Sequence, residues 1–135
     1  MSHERVAMER QTLRVLMVTP GLDGHWRGKV AVSTALRDAG MEVIYGGNME
    51  PHEIAEVAIQ EDTDVIGLSI LSAAHLRLIE LTLKAMEEKG VRDIPVVVGG
   101  TILEEDVPVI KEMGVVEVFG PGTPMEEIVK FFQNL

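Results

Sequence analysis

The chain has 135 residues, 46% of them apolar and 25% charged, which is enough for one domain with one ordinary core. Its 12 basic and 22 acidic residues give a net charge of −10, which argues against nucleic acid and against an anionic membrane surface as partners. Cysteine is absent, which excludes disulfides, thiolate metal sites and a cysteine nucleophile. With no signal peptide or membrane-spanning run in the sequence, these features predict a cytoplasmic globular domain.

Short apolar runs alternate with longer segments of helical periodicity. The apolar runs predict five strands, at Leu13–Val18, Glu42–Tyr45, Val65–Ser69, Val96–Val98 and Val115–Phe119. The segments between and after them predict five helices, at Lys29–Ala39, Pro51–Glu61, Ala74–Lys89, Glu105–Met113 and Pro124–Phe132. The third helix has an apolar stripe at Leu76, Ile79, Leu83 and Met86, so this face is expected to lie against the sheet.

The predicted strands are apolar on both faces, which is typical of a parallel sheet covered by helices on each side. Five strand–helix units in one small chain predict an α/β fold of the flavodoxin-like, Rossmann-like type. We therefore expect a doubly wound sheet of five parallel strands in the order 2-1-3-4-5. Residues 1–12 are expected to form a polar N-terminal tail, and residues 13–135 the single domain.

Residues at the ends of the predicted helices agree with this organisation. Gly40, Gly90 and Gly114 each follow a helix, where a glycine C-cap is expected. Thr123 and Glu126 have the spacing of a capping box, with Pro124 at the first helical position.

The loop after the first strand carries the most distinctive residues. In doubly wound sheets, ligands bind beyond the carboxyl ends of the strands at the switch point, here between strands one and three. The loop is neither a Walker loop nor a G-x-G-x-x-G turn, but it contains Asp23, His25 and Gly28 in the order Asp-x-His-x-x-Gly. A carboxylate beside an imidazole can fix its tautomer and leave the other ring nitrogen free to bind a metal. One imidazole is too few for a structural zinc site, which suggests a metal already held by a cofactor.

The loop and three further segments resemble the sequence pattern of cobalamin-binding domains. The loop residues that resemble the family signature are Asp23, Gly24, His25, Trp26, Arg27 and Gly28. Ser69 and Leu71 are similar to the family's Ser-x-Leu element, Gly99 and Gly100 to its Gly-Gly pair, and Phe119, Gly120 and Thr123 to its final loop. The similarity runs from Leu13 to Leu135 and points to the small or C-terminal cobalamin subunit of acyl-CoA mutases of the methylmalonyl-, isobutyryl- or 2-hydroxyisobutyryl-CoA type.

The resemblance implies a role for each of these positions. His25 is expected to replace the dimethylbenzimidazole of the cofactor as the lower ligand of cobalt, with Asp23 bonded to its other ring nitrogen. Ser69 is expected to contact the displaced base and Leu71 to form an apolar wall. Glycines 28, 99 and 100 are expected to leave room for the nucleotide tail, whose far end the loop of residues 119–123 is expected to line.

Two positions depart from the pattern of the family. Thr19 stands where related domains often carry a lysine, and Trp26 stands where an acidic residue is usual. Without that lysine, the sequence leaves open which group near Asp23 and His25 adjusts the properties of this pair. The second leaves open whether Trp26 packs on the corrin or on a partner.

The expected function is that of an enzyme subunit that holds adenosylcobalamin. A substrate-binding TIM barrel takes about 250 residues, so it is expected on a separate large subunit. The two subunits are expected to form a hetero-oligomer that isomerises an acyl-CoA. No catalytic residue is expected on this chain.

The alternative is a corrinoid protein that carries a methyl group between methyltransferases. Such carriers usually have an N-terminal helical bundle, although here only about twelve residues precede the first strand. A cobalamin-dependent regulator would need a DNA-binding domain, for which the sequence has no signal.

Overall fold

The computed structural model describes residues 12–21, 27–70 and 75–135, and for residues 27, 28 and 75 only the backbone. Strands and helices alternate in the predicted order. The strands are β1 (Arg14–Pro20), β2 (Glu42–Met49), β3 (Val65–Ile70), β4 (Val96–Gly100) and β5 (Glu117–Phe119). The helices are α1 (Arg27–Asp38), α2 (Pro51–Gln60), α3 (His75–Glu88), α4 (Val107–Glu112) and α5 (Met125–Gln133), with a short 3-10 helix at Glu104–Asp106 before α4.

The five strands form one parallel sheet in the order β2-β1-β3-β4-β5, which confirms the predicted fold class and topology. Every residue of the central strand β3 is buried, as expected for a strand covered on both faces. The expectation of strands apolar on both faces is wrong for β2, where Glu42 and Tyr45 are exposed. This strand lies at the edge of the sheet, so less of its surface is covered.

The side chains of the sheet divide into two cores. Leu16, Ile66 and Val98 point to one face and pack with α2, α3 and α4. The predicted stripe of α3 lies on this face, with Ile79 and Met86 fully buried. The opposite face carries Val15, Met17, Val65 and Val97, which pack with buried residues of α1 and α5. We call these the α2/α3/α4 face and the α1/α5 face.

The ends of the helices match the sequence in part. Gly40, Gly90 and Gly114 follow α1, α3 and α4 with positive φ, as predicted for C-caps. The predicted capping box is wrong: α5 begins at Met125, and no side chain caps its first turn. Thr123 instead donates its hydroxyl to the carbonyl oxygen of Gly120 at 2.8 Å, so it holds the preceding turn and not the helix. None of the helices in the described part of the chain has the length and apolarity needed to cross a lipid bilayer.

Candidate functional site

A cavity of about 340 Å³ opens on the α1/α5 face near the carboxyl ends of the central strands. Met17 and Val97 of the sheet form its floor, and Val32 of α1 and Ile128 of α5 form its walls. Its volume is within the range of about 300–1,000 Å³ that is usual for small-molecule sites. Its position next to the strand switch point is where doubly wound sheets bind ligands.

Glycines give this cavity its depth. Gly67, Gly99, Gly120 and Gly122 are among the residues that line it. A Cβ at Gly67 would lie 2.9 Å from the sulfur of Met17, so a side chain there would crowd the floor. A Cβ at Gly120 would meet nothing within 4 Å, so the rim beside it is open. The backbone of the strand ends is therefore accessible to a bound group.

Three of the predicted site residues lie side by side across the sheet. In the register of the strands, Ser69 of β3 is paired with Gly99 of β4, which is paired with Phe119 of β5. Alternation along β3 puts Ser69 on the same face as Gly67, which lines the cavity. The hydroxyl oxygen of Ser69 is buried without a hydrogen-bond partner among the described residues. A buried hydroxyl in this state costs free energy until a partner arrives, so Ser69 is suited to bind a ligand.

The loop after β5 closes the far side of the cavity. Phe119, Gly120 and Thr123, all predicted from the sequence, line the cavity together with Pro121. The ring of Phe119 meets that of Phe131 edge to face at a centroid distance of 5.6 Å, which fixes it against α5. The Thr123 bond to Gly120 keeps the turn closed.

Gly100 has a structural role that the sequence did not reveal. Its φ of 130° lies in the region that favours glycine. A side chain at Gly100 would also collide with the backbone carbonyl of Ile70 on the neighbouring strand. The close approach of β3 and β4 at this level therefore requires a glycine, whether or not a ligand is bound.

Sequence reasoning missed Lys29, a buried cation next to the site. Its side chain is only 5% exposed, and its Nζ donates to Thr19 Oγ1 and to the Gly46 carbonyl oxygen, both at 3.0 Å. Burial lowers the pKa of its ammonium group. The spacing of Lys29 to the buried Val32 and Leu36 is that of one helical stripe, and this was the available signal.

Several predicted site residues lie outside the part of the chain that the structure describes. These are Asp23, Gly24, His25, Trp26 and Leu71, together with the side chain of Arg27 and the environment of Gly28. Their roles remain predictions. The neighbouring strand ends are described, and they bring Thr19, Ser69 and Gly99 to the same edge of the sheet.

Comparison with known proteins identifies the class to which this fold and site belong. The family model described as the B12 binding domain matches residues 13–130. The chain therefore belongs to the B12-binding domain family. It is 43% identical to the 2-hydroxyisobutanoyl-CoA mutase small subunit of Aquincola tertiaricarbonis, over 95% of each chain. It is 44% identical to the pivalyl-CoA mutase small subunit of Xanthobacter autotrophicus, over 87% of this chain and 80% of that one.

Larger proteins contain a similar segment. The chain is 39% identical to part of the methylmalonyl-CoA mutase of Escherichia coli, over 90% of this chain but only 17% of that protein. Among solved structures, a cobalamin-binding protein from Desulfitobacterium hafniense superposes with a TM-score of 0.78 and 23% identity, over 90% of this chain and 58% of that one. The chemotaxis protein CheY4 of Vibrio cholerae superposes with a TM-score of 0.69 and 21% identity, over 91% of this chain and 98% of that one. At these identities the two structures establish the fold alone.

Proposed function

We propose that this chain is the cobalamin-binding small subunit of an adenosylcobalamin-dependent acyl-CoA mutase. The observation that carries the proposal is the cavity on the α1/α5 face, together with the nearby hydroxyl of Ser69, which has no hydrogen-bond partner in the described part of the chain. The choice of a mutase is supported by two relatives that are named as mutase small subunits and match over most of their length. Family membership supports cobalamin as the ligand.

The described residues fit the nucleotide tail of cobalamin. An apolar cavity with glycines at its floor and rim suits a flat aromatic base attached to a ribose phosphate. In this proposal the hydroxyl of Ser69 binds the displaced base, and Gly99 and Gly120 let the tail approach the backbone. Phe119 and Thr123 line its far end. Both residues are held in place, by the contact with Phe131 and by the bond to Gly120.

The loop after β1 holds the cobalt in the same proposal. His25 would ligate the cobalt, and Asp23 would accept a hydrogen bond from its other ring nitrogen, which would keep the coordinating nitrogen unprotonated. Leu71 would contribute an apolar wall, and residues 24 and 26–28 would contact the cofactor. When bound, adenosylcobalamin would supply radical chemistry through its cobalt–carbon bond. The residues of this chain bind and orient the cofactor.

The substrate binds elsewhere in the proposed complex. We assign acyl-CoA binding to a large TIM-barrel subunit, which makes the active enzyme a cytoplasmic hetero-oligomer. This assignment is supported by the mutases in which a segment similar to this chain is only 17% of a much longer protein. The isolated chain loaded with adenosylcobalamin is expected to isomerise no acyl-CoA, and activity should appear on addition of the large subunit. Turnover by this chain alone would contradict the division of labour.

Electron paramagnetic resonance of bound cob(II)alamin tests the ligation. The chain is labelled uniformly with ¹⁵N and mixed with unlabelled cofactor. If His25 is the lower ligand, the axial superhyperfine pattern changes from the triplet of ¹⁴N to the doublet of ¹⁵N. His25→Ala should lose this doublet, and His52→Ala, on an exposed residue at the start of α2, serves as the matched control. A triplet from the labelled wild-type complex would show that the benzimidazole remains the ligand and that the assignment is wrong.

The role of Asp23 is tested by Asp23→Asn, which keeps the shape of the side chain and removes its charge. The loss of such a partner of a metal ligand typically lowers metal affinity or activity about 10–100-fold. We expect a loss in this range for cobalamin affinity or for turnover with the large subunit. Unchanged values for both would reduce Asp23 to a turn residue.

A further inference from the structure

Lys29 is a buried cation whose described partners are all neutral. It lies on the first turn of α1, and its ammonium group donates to the hydroxyl of Thr19 and to the carbonyl of Gly46. The ring of Tyr45 lies 4.7 Å from the same nitrogen. None of the ion pairs found among residues 12–21, 27–70 and 75–135 involves Lys29.

The fold holds this ammonium group in place with an irregularity in the sheet. Met17 pairs with Tyr45 and Thr19 with Asn48, so Gly46 and Gly47 of β2 lie opposite one residue of β1. The carbonyl that Lys29 binds belongs to this bulge. Bulges re-aim backbone and side-chain groups and are frequent beside functional sites.

A buried ammonium without an anion is a poor structural element. Removal of a charge from water is costly unless an opposite charge compensates it, and the pKa of Lys29 is lowered by this burial. An apolar side chain of similar length would tie α1 to the sheet at a lower cost. The position of the charge therefore points to an anionic group that arrives when the site is filled.

Thr19 connects the ammonium group to the edge of the sheet where ligands bind. Its oxygen accepts a hydrogen bond from Lys29, so its own hydroxyl hydrogen is left to donate to another group. Val18 is paired with Leu68, so Thr19 and Ser69 lie one position further along the two strands, at the switch point. Thr19 is 3% exposed and Ser69 is 2% exposed. These two buried hydroxyls are neighbours at the strand ends, and the positive charge of Lys29 lies behind one of them.

We propose that Lys29, acting through Thr19, is a positioning residue of the cofactor site that holds an anionic oxygen at the carboxyl end of β1 when cobalamin binds. This inference rests on the proposed function. The anionic oxygen in this proposal belongs to the phosphodiester of the cofactor. The charge of Lys29 strengthens the hydrogen bond that Thr19 donates to it.

The test compares the cobalamin affinity of wild type, Lys29→Met, Thr19→Val and the double variant by equilibrium dialysis. We expect each single variant to bind cobalamin about 10–100-fold more weakly, as for the loss of a charge-assisted bond. The double variant should lose no more than the larger single loss, because the two residues act as one unit. Lys89→Met removes an exposed lysine at the end of α3 and should leave the affinity unchanged.

Urea unfolding of the cofactor-free chain separates this role from a structural one. Lys29→Met should be at least as stable as wild type, because it removes a buried charge that lacks a described counter-ion. A loss of stability together with an unchanged cobalamin affinity would make Lys29 a tie between α1 and β2 and would overturn the inference. If Lys29→Met does not fold, Thr19→Val alone decides, and wild-type affinity of that variant would overturn the inference.

Cobinamide, which lacks the nucleotide and its phosphodiester, tests whether the anionic oxygen is that of the phosphodiester. If Lys29→Met binds cobinamide as wild type does, the anion is the phosphodiester. If the same loss persists with cobinamide, the phosphodiester is not the group that Lys29 and Thr19 hold, and the inference is overturned. If the wild-type chain does not bind cobalamin, the proposed function itself is refuted. If the wild-type and Lys29→Met chains bind cobalamin equally well, only this inference is refuted.

Discussion

The two faces of the sheet are built differently, although the same five strands supply both. The α2/α3/α4 face is filled by large apolar side chains, and Ile54, Ile79 and Ile110 on its helices are fully buried. The α1/α5 face contains the cavity, the glycines around it and the buried polar groups of Ser69 and Lys29. The packed face stabilises the fold. The other face leaves room for a ligand, and its Ser69 hydroxyl has no hydrogen-bond partner among the described residues. The chain thus separates stability from binding across the thickness of one sheet.

The largest expected effect is on the stability of the two faces. Ile79→Ala, on the packed face, should lower the free energy of unfolding of the cofactor-free chain by about 2–5 kcal/mol, as buried isoleucine truncations do. Ile128→Ala, on the wall of the cavity, should cost about 2 kcal/mol or less, because this side chain already borders unfilled space. Urea unfolding measures both values. Equal losses would show that the two faces are packed alike.

The next effect is on affinity, and it uses two glycines with the same local freedom. Neither Gly120 nor Gly47 has a positive φ, and a Cβ at either position would meet nothing within 4 Å. Gly120→Leu places a side chain at the rim of the cavity and should weaken cobalamin binding about tenfold or more, which corresponds to about 1.4 kcal/mol.

Gly47→Leu is the matched control for this substitution, because Gly47 is exposed on the edge strand β2, away from the cavity lining. It should bind cobalamin as wild type does. Equal losses for the two variants would place the cofactor elsewhere on the chain. Equilibrium dialysis of both variants against cobalamin gives the comparison.

The smallest effect concerns the ion pair that joins α4 to β5. Partial burial raises the pKa of Glu117, but the N–H of Val118 and the ammonium of Lys111, each 3.0 Å from its carboxylate, outweigh this and hold the pKa below its ordinary value. A carboxylate with a lowered folded pKa contributes stability above its unfolded pKa of about 4.5, and this is lost as the pH falls through the folded value. Since the side chain is 29% exposed, Glu117→Gln should cost at most about 1 kcal/mol at pH 7.

The pH profile of unfolding checks the origin of that effect. The difference between Glu117→Gln and wild type should shrink below about pH 4.5 and vanish where the wild-type carboxylate is protonated. A difference that stays constant down to acid pH would assign the loss to packing and not to charge. A cost well above 1 kcal/mol would show that this ion pair contributes more than a partly exposed pair ordinarily does.

Much of the fold could be predicted because it follows from local patterns. Apolar runs located all five strands, and the stripe of α3 identified the residues that lie against the sheet. The predicted end of β2, at Tyr45, lies too early, and the residues that follow it in the strand include Gly46 and Gly47. They form the bulge in a strand that continues to Met49. The bulge depends on pairing with β1, which a local pattern does not contain.

The candidate site divides in the same way. Ser69, Gly99, Phe119, Gly120 and Thr123 could be selected because a family pattern resembles the chain at these positions, and the structure brings them to one edge of the sheet. For Lys29 the sequence offers only its helical spacing to Val32 and Leu36, because the groups it binds, Thr19 and Gly46, come from two different strands. A charged residue in the first turn of a helix is ordinarily exposed, and only the tertiary structure makes this one unusual.

Methyl NMR of isoleucine side chains tests the central claim, that the cofactor occupies the α1/α5 face. The chain is labelled with ¹³C at its isoleucine δ1 methyl groups and titrated with a diamagnetic cob(III)alamin. The signal of Ile128, on the cavity wall, should shift through the ring current of the bound base, and those of Ile79 and Ile110, on the packed face, should stay in place. If the signals of Ile79 and Ile110 shift while that of Ile128 does not, the cofactor is bound on the α2/α3/α4 face, which contradicts the central claim.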